Sequence, residues 1–123
     1  MARIIVIDDE EDLRGLLRLL LEAEGHDVDE AENGAQGLAA IGEQTYDLVI
    51  TDVLMSEEDG ITVAKETPKL QPNAKVLAIS GGGAVLPANW SLKVMKMFGV
   101  NAALHKPFEA DEFIKVVNEL LTQ

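Results

Sequence analysis
The stretch that decides the fold is Ile4-Ile5-Val6-Ile7-Asp8-Asp9. Four consecutive apolar, β-branched residues run straight into two carboxylates. A strand that is apolar at every position, rather than at alternate ones, is covered on both faces, as in a parallel sheet between helices. Leu48-Val49-Ile50 and Val76-Leu77-Ala78-Ile79 have the same character. Residues Asp27–Ala31 alternate and read as an edge strand, and Ala102–His105 is a further, weaker strand signal.

Helical patterns separate these runs. Leu13, Leu16, Leu17, Leu20 and Leu21 fall at i, i+3, i+4, i+7 and i+8, an amphipathic stripe, and Gly25 stands where a C-terminal cap belongs. Phe113, Val116, Val117, Leu120 and Leu121 repeat the spacing at the other end of the chain. Shorter helices are expected over Ala35–Glu43 and about Gly60–Thr67, the second checked by Pro68, and another over about 88–98, ending at Gly99. The order βαβαβαβαβα, joined by right-handed crossovers, predicts a doubly wound α/β fold. Five parallel strands in the order 2-1-3-4-5, with helices on both faces, is the flavodoxin-like solution at this length. No repeat, low-complexity stretch or linker interrupts it, so residues 1–123 are expected to form a single domain.

Composition narrows the function. The 123 residues carry 10 Lys and Arg against 22 Asp and Glu, a formal net charge of −12. That balance argues against direct nucleic-acid binding and against docking on anionic membranes. With no cysteine, disulfides, thiol nucleophiles and cysteine-bound zinc are excluded. No apolar run approaches the roughly 18 residues of a membrane span, and MARIIVID is no signal peptide. A cytoplasmic protein is the expectation.

In a doubly wound sheet, ligands bind beyond the carboxyl ends of the strands. Strand 1 runs into Asp8 and Asp9, strand 3 into Asp52, strand 4 into Ser80, and the last strand into Lys106-Pro107. Each has a plainer reading alone. An aspartate after a strand caps the next helix, a serine before glycine forms a turn, and a lysine is solvated. Their coincidence on four strands outweighs those readings. Carboxylates about 4 Å apart repel by roughly 4 kcal/mol at an effective dielectric near 20. An all-oxygen set of this kind suits a hard divalent ion such as Mg²⁺. Mg²⁺ with few carboxylates points to phosphoryl chemistry, making Asp52 a candidate nucleophile and Lys106 and Ser80 partners of the phosphoryl oxygens. No GxxxxGK[ST] loop is present, which argues against a nucleotide donor.

The segments IIVIDDEEDLR (Ile4–Arg14), YDLVITDVLMSEEDG (Tyr46–Gly60), VLAISGGG (Val76–Gly83) and GVNAALHKPF (Gly99–Phe108) together resemble the receiver domain of two-component response regulators. The resemblance covers essentially the whole chain. It implies that Asp52 is the phospho-acceptor and that Asp8, Asp9, Asp52 and the backbone carbonyl of Leu54 hold Mg²⁺. It further implies that Ser80 is the switch hydroxyl, that Lys106 contacts the phosphoryl group, and that the Lys106–Pro107 bond is cis. The donor would be a phosphohistidine on a sensor kinase or a histidine phosphotransfer protein. The only reactions catalysed would be the chain's own phosphorylation and dephosphorylation. Output would pass to a protein effector or to an output domain that is not in this chain.

Three departures from the family pattern bear on readout. Ala103 stands where an aromatic residue is common, Ser56 where proline is common, and Glu58 where an apolar residue is usual. The run Gly81-Gly82-Gly83, followed by 84–87, suggests a long, mobile loop beside Ser80. These departures motivate an alternative, a pseudo-receiver that binds a partner without phosphorylation. A phosphatase of the haloacid dehalogenase type is disfavoured, because it needs a second aspartate where this chain has Leu54. In the helix expected over 88–98, Trp90, Val94 and Met97 line one face and Ser91, Val94, Met95 and Phe98 another. Simple burial accounts for this, and so does a surface that, with the last strand and helix, docks a kinase, an effector or a second copy as a dimer. His26 and His105 are assigned no catalytic role.

Overall fold
The computed structural model describes residues 1–52, 59–80, 97 and 99–123, without the side chains of 59–61. Leu54, Ser56, Glu58, the 81–83 glycine run and its continuation to residue 87 lie outside the described residues. So does the helix expected over 88–98 apart from Met97, whose side chain is exposed.

The chain order is β1 (Arg3–Ile7), α1 (Glu11–Ala23), β2 (Asp27–Ala31), α2 (Gly34–Glu43), β3 (Leu48–Asp52), α3 (Asp59–Leu70), β4 (Lys75–Ser80), β5 (Ala102–His105) and α4 (Ala110–Leu121). The strands form one five-stranded sheet in the order β2-β1-β3-β4-β5, and every pairing is parallel. The doubly wound topology expected from the apolar runs is therefore present.

Each continuous run divides its side chains between two cores, one on each face of the sheet. Ile5, Ile7, Val49, Val76 and Ala78 pack with Ile41 of α2 and Val63 and Ala64 of α3. Ile4, Val6, Leu48, Ile50, Leu77 and Ile79 pack with Leu17 and Leu21 of α1 and Phe113, Val117 and Leu120 of α4. β3 is buried at all five positions, which explains why its sequence never alternates. The leucine stripe of α1 is wider than the sheet covers: Leu17 and Leu21 are buried, whereas Leu16 is 51% exposed.

Local signals set the helix ends. Gly25 has φ of 88°; its N–H donates to the Glu22 carbonyl, and that of His26 to the Leu21 carbonyl, a Schellman closure of α1. Asn33 caps α2, its side chain accepting from the Gln36 N–H at 2.8 Å. α3 continues through Pro68 to Leu70, beyond the end expected at Thr67. Pro68 has no N–H to offer the Ala64 carbonyl, but the helix continues with the Gln71 N–H donating to the Thr67 carbonyl. Gly99 then packs against that same turn. Its φ is 80°, and a Cβ there would overlap the Ala64 carbonyl oxygen and crowd the Pro68 ring. Glycine is required twice over, for the left-handed backbone and for the close approach. Gly99→Ala is expected to lower stability by about 2 kcal/mol or more, read as a lower denaturation midpoint with an unchanged slope.

Candidate functional site
The parallel register brings the acidic residues together. Ile7 pairs with Thr51, so Asp8, one residue further on, comes beside Asp52. Asp52 in turn pairs with Ile79, so Ser80 stands one residue above it on the next strand. Ser80 pairs with His105, and the Lys106 N–H continues that ladder by donating to the Ser80 carbonyl at 2.6 Å. The Lys106–Pro107 peptide is cis, as the sequence resemblance implies.

Lys106 links the cluster. Its Nζ lies 3.1 Å from Asp52 Oδ2, 3.6 Å from Asp8 Oδ2 and 3.6 Å from Glu10 Oε1. Asp8, Asp9 and Asp52 each present a carboxylate oxygen within 4.8 Å of the others. Asp8 and Asp52 are buried, and Asp9 is exposed. Glu10, which composition alone leaves on a solvated rim, in fact reaches the lysine.

Asp8 is the most constrained member. Its Oδ1 accepts the Glu10 N–H at 2.8 Å, and the Arg14 guanidinium donates to its backbone carbonyl at 2.8 Å. Its Oδ2 is buried and, among the described residues, accepts no hydrogen bond, facing the Lys106 ammonium at the longer ion-pair distance of 3.6 Å. Burial, with a smaller contribution from Asp52 and Glu10, pushes the Asp8 carboxyl above its ordinary range, although the Glu10 N–H and Lys106 pull the other way. For Lys106, burial acts to lower the pKa, but the hydrogen bond to Asp52 and the charges of Asp8, Asp52 and Glu10 prevail and raise it. Neither Asp8 nor Asp9 caps α1: the N-cap is Glu10, with no side-chain bond. The capping explanation for the two aspartates therefore fails.

Chemically, the cluster sets Asp8, Asp9, Asp52 and Glu10 against the Lys106 ammonium and leaves one buried oxygen without a hydrogen bond among the described residues. An all-oxygen donor set of this kind fits a hard cation, and Asp8 Oδ2, buried with no hydrogen bond among the described residues, is an atom such a cation would satisfy. Ser80 is buried, and its Oγ lies 2.8 Å from His105 Nδ1. His105, assigned no catalytic role from the sequence, is thus a side-chain partner of Ser80. The available signal was its position directly before Lys106 and two residues beyond Ala103, hence on the same strand face as Ala103.

With this geometry in place, comparison with known proteins agrees. Residues 4–118 match the response regulator receiver domain family, and the chain belongs to it. It is 34% identical over 122 residues to the transcriptional regulatory protein GlrR of Escherichia coli K12, covering 99% of this chain and 27% of GlrR. It thus spans about a quarter of that relative's length. It is 32% identical to the chemotaxis protein CheY of Bacillus subtilis, covering 97% of both chains. Among solved structures, the response regulator TrrA of Thermotoga maritima in complex with Mg²⁺-BeF superimposes with a TM-score of 0.81 at 32% identity, covering 98% of this chain and 99% of TrrA. TrrA has also been solved in complex with the histidine kinase ThkA, with a TM-score of 0.80, 34% identity and the same coverage. The protein is a receiver domain of the two-component type. Among the described residues, no helix is long and apolar enough to cross a membrane.

A raised Asp8 pKa means that its ionisation works against the fold. The favourable contribution is present while the carboxyl is protonated and is lost as pH rises through its folded-state pKa. In Mg²⁺-free buffer at neutral pH, Asp8→Asn should therefore melt above the parent. The gap should close as pH falls into the carboxylate range. Thermal melts of the two proteins across pH check this.

Proposed function
We propose that Asp52 accepts a phosphoryl group from a phosphohistidine in a Mg²⁺-dependent reaction, and that residues 1–123 act as one receiver unit. The observation that carries this reading is the convergence of Asp8, Asp9, Asp52 and Lys106, with the Asp8 Oδ2 atom buried and, among the described residues, without a hydrogen bond. The resemblance to TrrA, solved with Mg²⁺-BeF and with a histidine kinase, supports the metal and the donor class.

In the transfer, an Asp52 carboxylate oxygen attacks the phosphorus and an acyl phosphate forms. The P–N bond to the donor histidine breaks, and the departing imidazole keeps the electron pair. Asp8, Asp9, Asp52 and the Leu54 carbonyl would hold Mg²⁺, which when bound supplies positive charge to the phosphoryl oxygens. Lys106, already 3.1 Å from Asp52 Oδ2, keeps its ammonium beside the group as the carboxylate charge passes to the phosphoryl oxygens. Ser80 donates its hydroxyl proton to one of those oxygens. Hydrolysis reverses the change: water attacks phosphorus, the Asp52 carboxylate leaves, and inorganic phosphate is released. Catalysis extends to the protein's own phosphorylation and dephosphorylation and no further. A sensor kinase or phosphotransfer protein is the donor, and the phosphorylated form acts on a protein effector or an output domain. With Asp8, Asp9, Asp52, Ser80 and Lys106 all present, a phosphorylation-independent interaction module is not needed.

Incubation with acetyl phosphate and Mg²⁺ should add one phosphoryl group to the parent by intact mass. Asp52→Asn should gain none, and Lys106→Ala should gain it at least about tenfold more slowly. A parent that stays unmodified overturns the reading. Independently, Mg²⁺ should raise the parent's melting temperature, because it binds the folded carboxylate cluster and not the unfolded chain. Asp9→Ala should lose most of that rise; an equal response would mean that the metal site is elsewhere.

A further inference from the structure
Ser80 and His105 are register partners across the β4–β5 ladder, and their side chains meet, with Ser80 Oγ 2.8 Å from His105 Nδ1. Ser80 is buried, whereas His105 is exposed. One hydrogen bond therefore joins a hydroxyl at the phosphoryl site to a ring at the surface. Ala103, on the same strand face, packs against the inner core with a single methyl group and has nothing to reorient.

The chemistry of the pair allows two polarities. A serine hydroxyl has one proton to donate and lone pairs with which to accept. If the imidazole proton is on Nε2, Nδ1 accepts and the Ser80 proton points at the ring. If it is on Nδ1, the ring donates to Ser80 Oγ and leaves the Ser80 proton for another acceptor. A phosphoryl group offers acceptors only, so it can be bonded by Ser80 in the second arrangement and not in the first.

We propose that His105 is a positioning residue for Ser80, accepting its hydroxyl proton at rest and donating to its oxygen once Asp52 carries a phosphoryl group. The proposal rests on Asp52 as phospho-acceptor and Ser80 as the hydroxyl that meets the phosphoryl group. The change is a tautomer exchange: one proton leaves Nε2 to water, another arrives at Nδ1 from water, and the ring charge is unchanged. The phosphorylation state of Asp52 is thereby written on an exposed ring, beside the position where Ala103 leaves no aromatic side chain.

The test combines intact mass with long-range ¹H–¹⁵N spectra of the histidine rings, recorded on the whole chain before and after acetyl phosphate and Mg²⁺. The chain has two histidines. His26 serves as the control, because its Nδ1 accepts the Ala2 N–H at 3.0 Å and should remain the Nε2–H tautomer throughout. The expected result is a switch of His105 from the Nε2–H to the Nδ1–H pattern on phosphorylation, absent in Asp52→Asn and in Ser80→Ala. A parent that gains the phosphoryl group while the His105 signals keep their resting pattern overturns this proposal alone. A parent that gains no phosphoryl group overturns the reading of Asp52, and this proposal with it.

Discussion
The structure depends on like charges held together by backbone register. Asp8 and Asp52 sit side by side because β1 and β3 are paired in parallel up to Ile7 and Thr51, and Lys106 arrives opposite them because β5 ends one residue earlier, beside Ser80. The repulsion between the carboxylates is a cost borne by the two hydrophobic cores, which clamp β3 on both faces. One ammonium offsets part of it. What is left, an unsatisfied buried oxygen on Asp8, is a standing affinity for positive charge. Stability and function thus oppose each other at this site, and the sheet is what allows the conflict to persist.

The arrangement separates chemistry from scaffold. Side chains along β1, β3 and β4 alternate between the two cores, and polarity begins where those cores end. Beside the contacts to the carboxylates, Arg14 ties the backbone: it holds the carbonyl of Asp8 while pairing with Glu30 of the edge strand. Burial of Glu30 opposes its ionisation, but its hydrogen bond to Arg18, aided by Arg14, prevails and holds the carboxyl below its usual range. Thus Arg14 of α1 and Glu30 of β2 steady the end of the strand that carries the acidic pair through its backbone.

Much of this was legible in the sequence, for identifiable reasons. Continuous apolar runs such as Ile4–Ile7 have one common explanation, burial on both faces, so the sheet followed from them directly. The residues at strand ends followed from the general location of ligand sites in such sheets. Finer placements depend on contacts between distant segments and left no local trace. Pro68 reads as a helix end, yet α3 continues to Leu70, and the close packing of Gly99 on that turn joins segments 31 residues apart. Nothing in the leucine spacing says that Leu16 stays half exposed. The contact of His105 was hidden because its partner, Ser80, lies 25 residues away and becomes a neighbour only through the β4–β5 register.

The close approach of Gly99 to the Ala64 turn of α3 has a consequence for the placement of Lys106. Lys106 is delivered by a short path from Gly99 through β5, and that path begins at a point held against α3, the helix of the sheet's third crossover. A side chain at residue 99 would press on that helix and move the start of β5 with it. The lysine that reaches the acidic cluster thus owes its address in part to a missing methyl group seven residues before it.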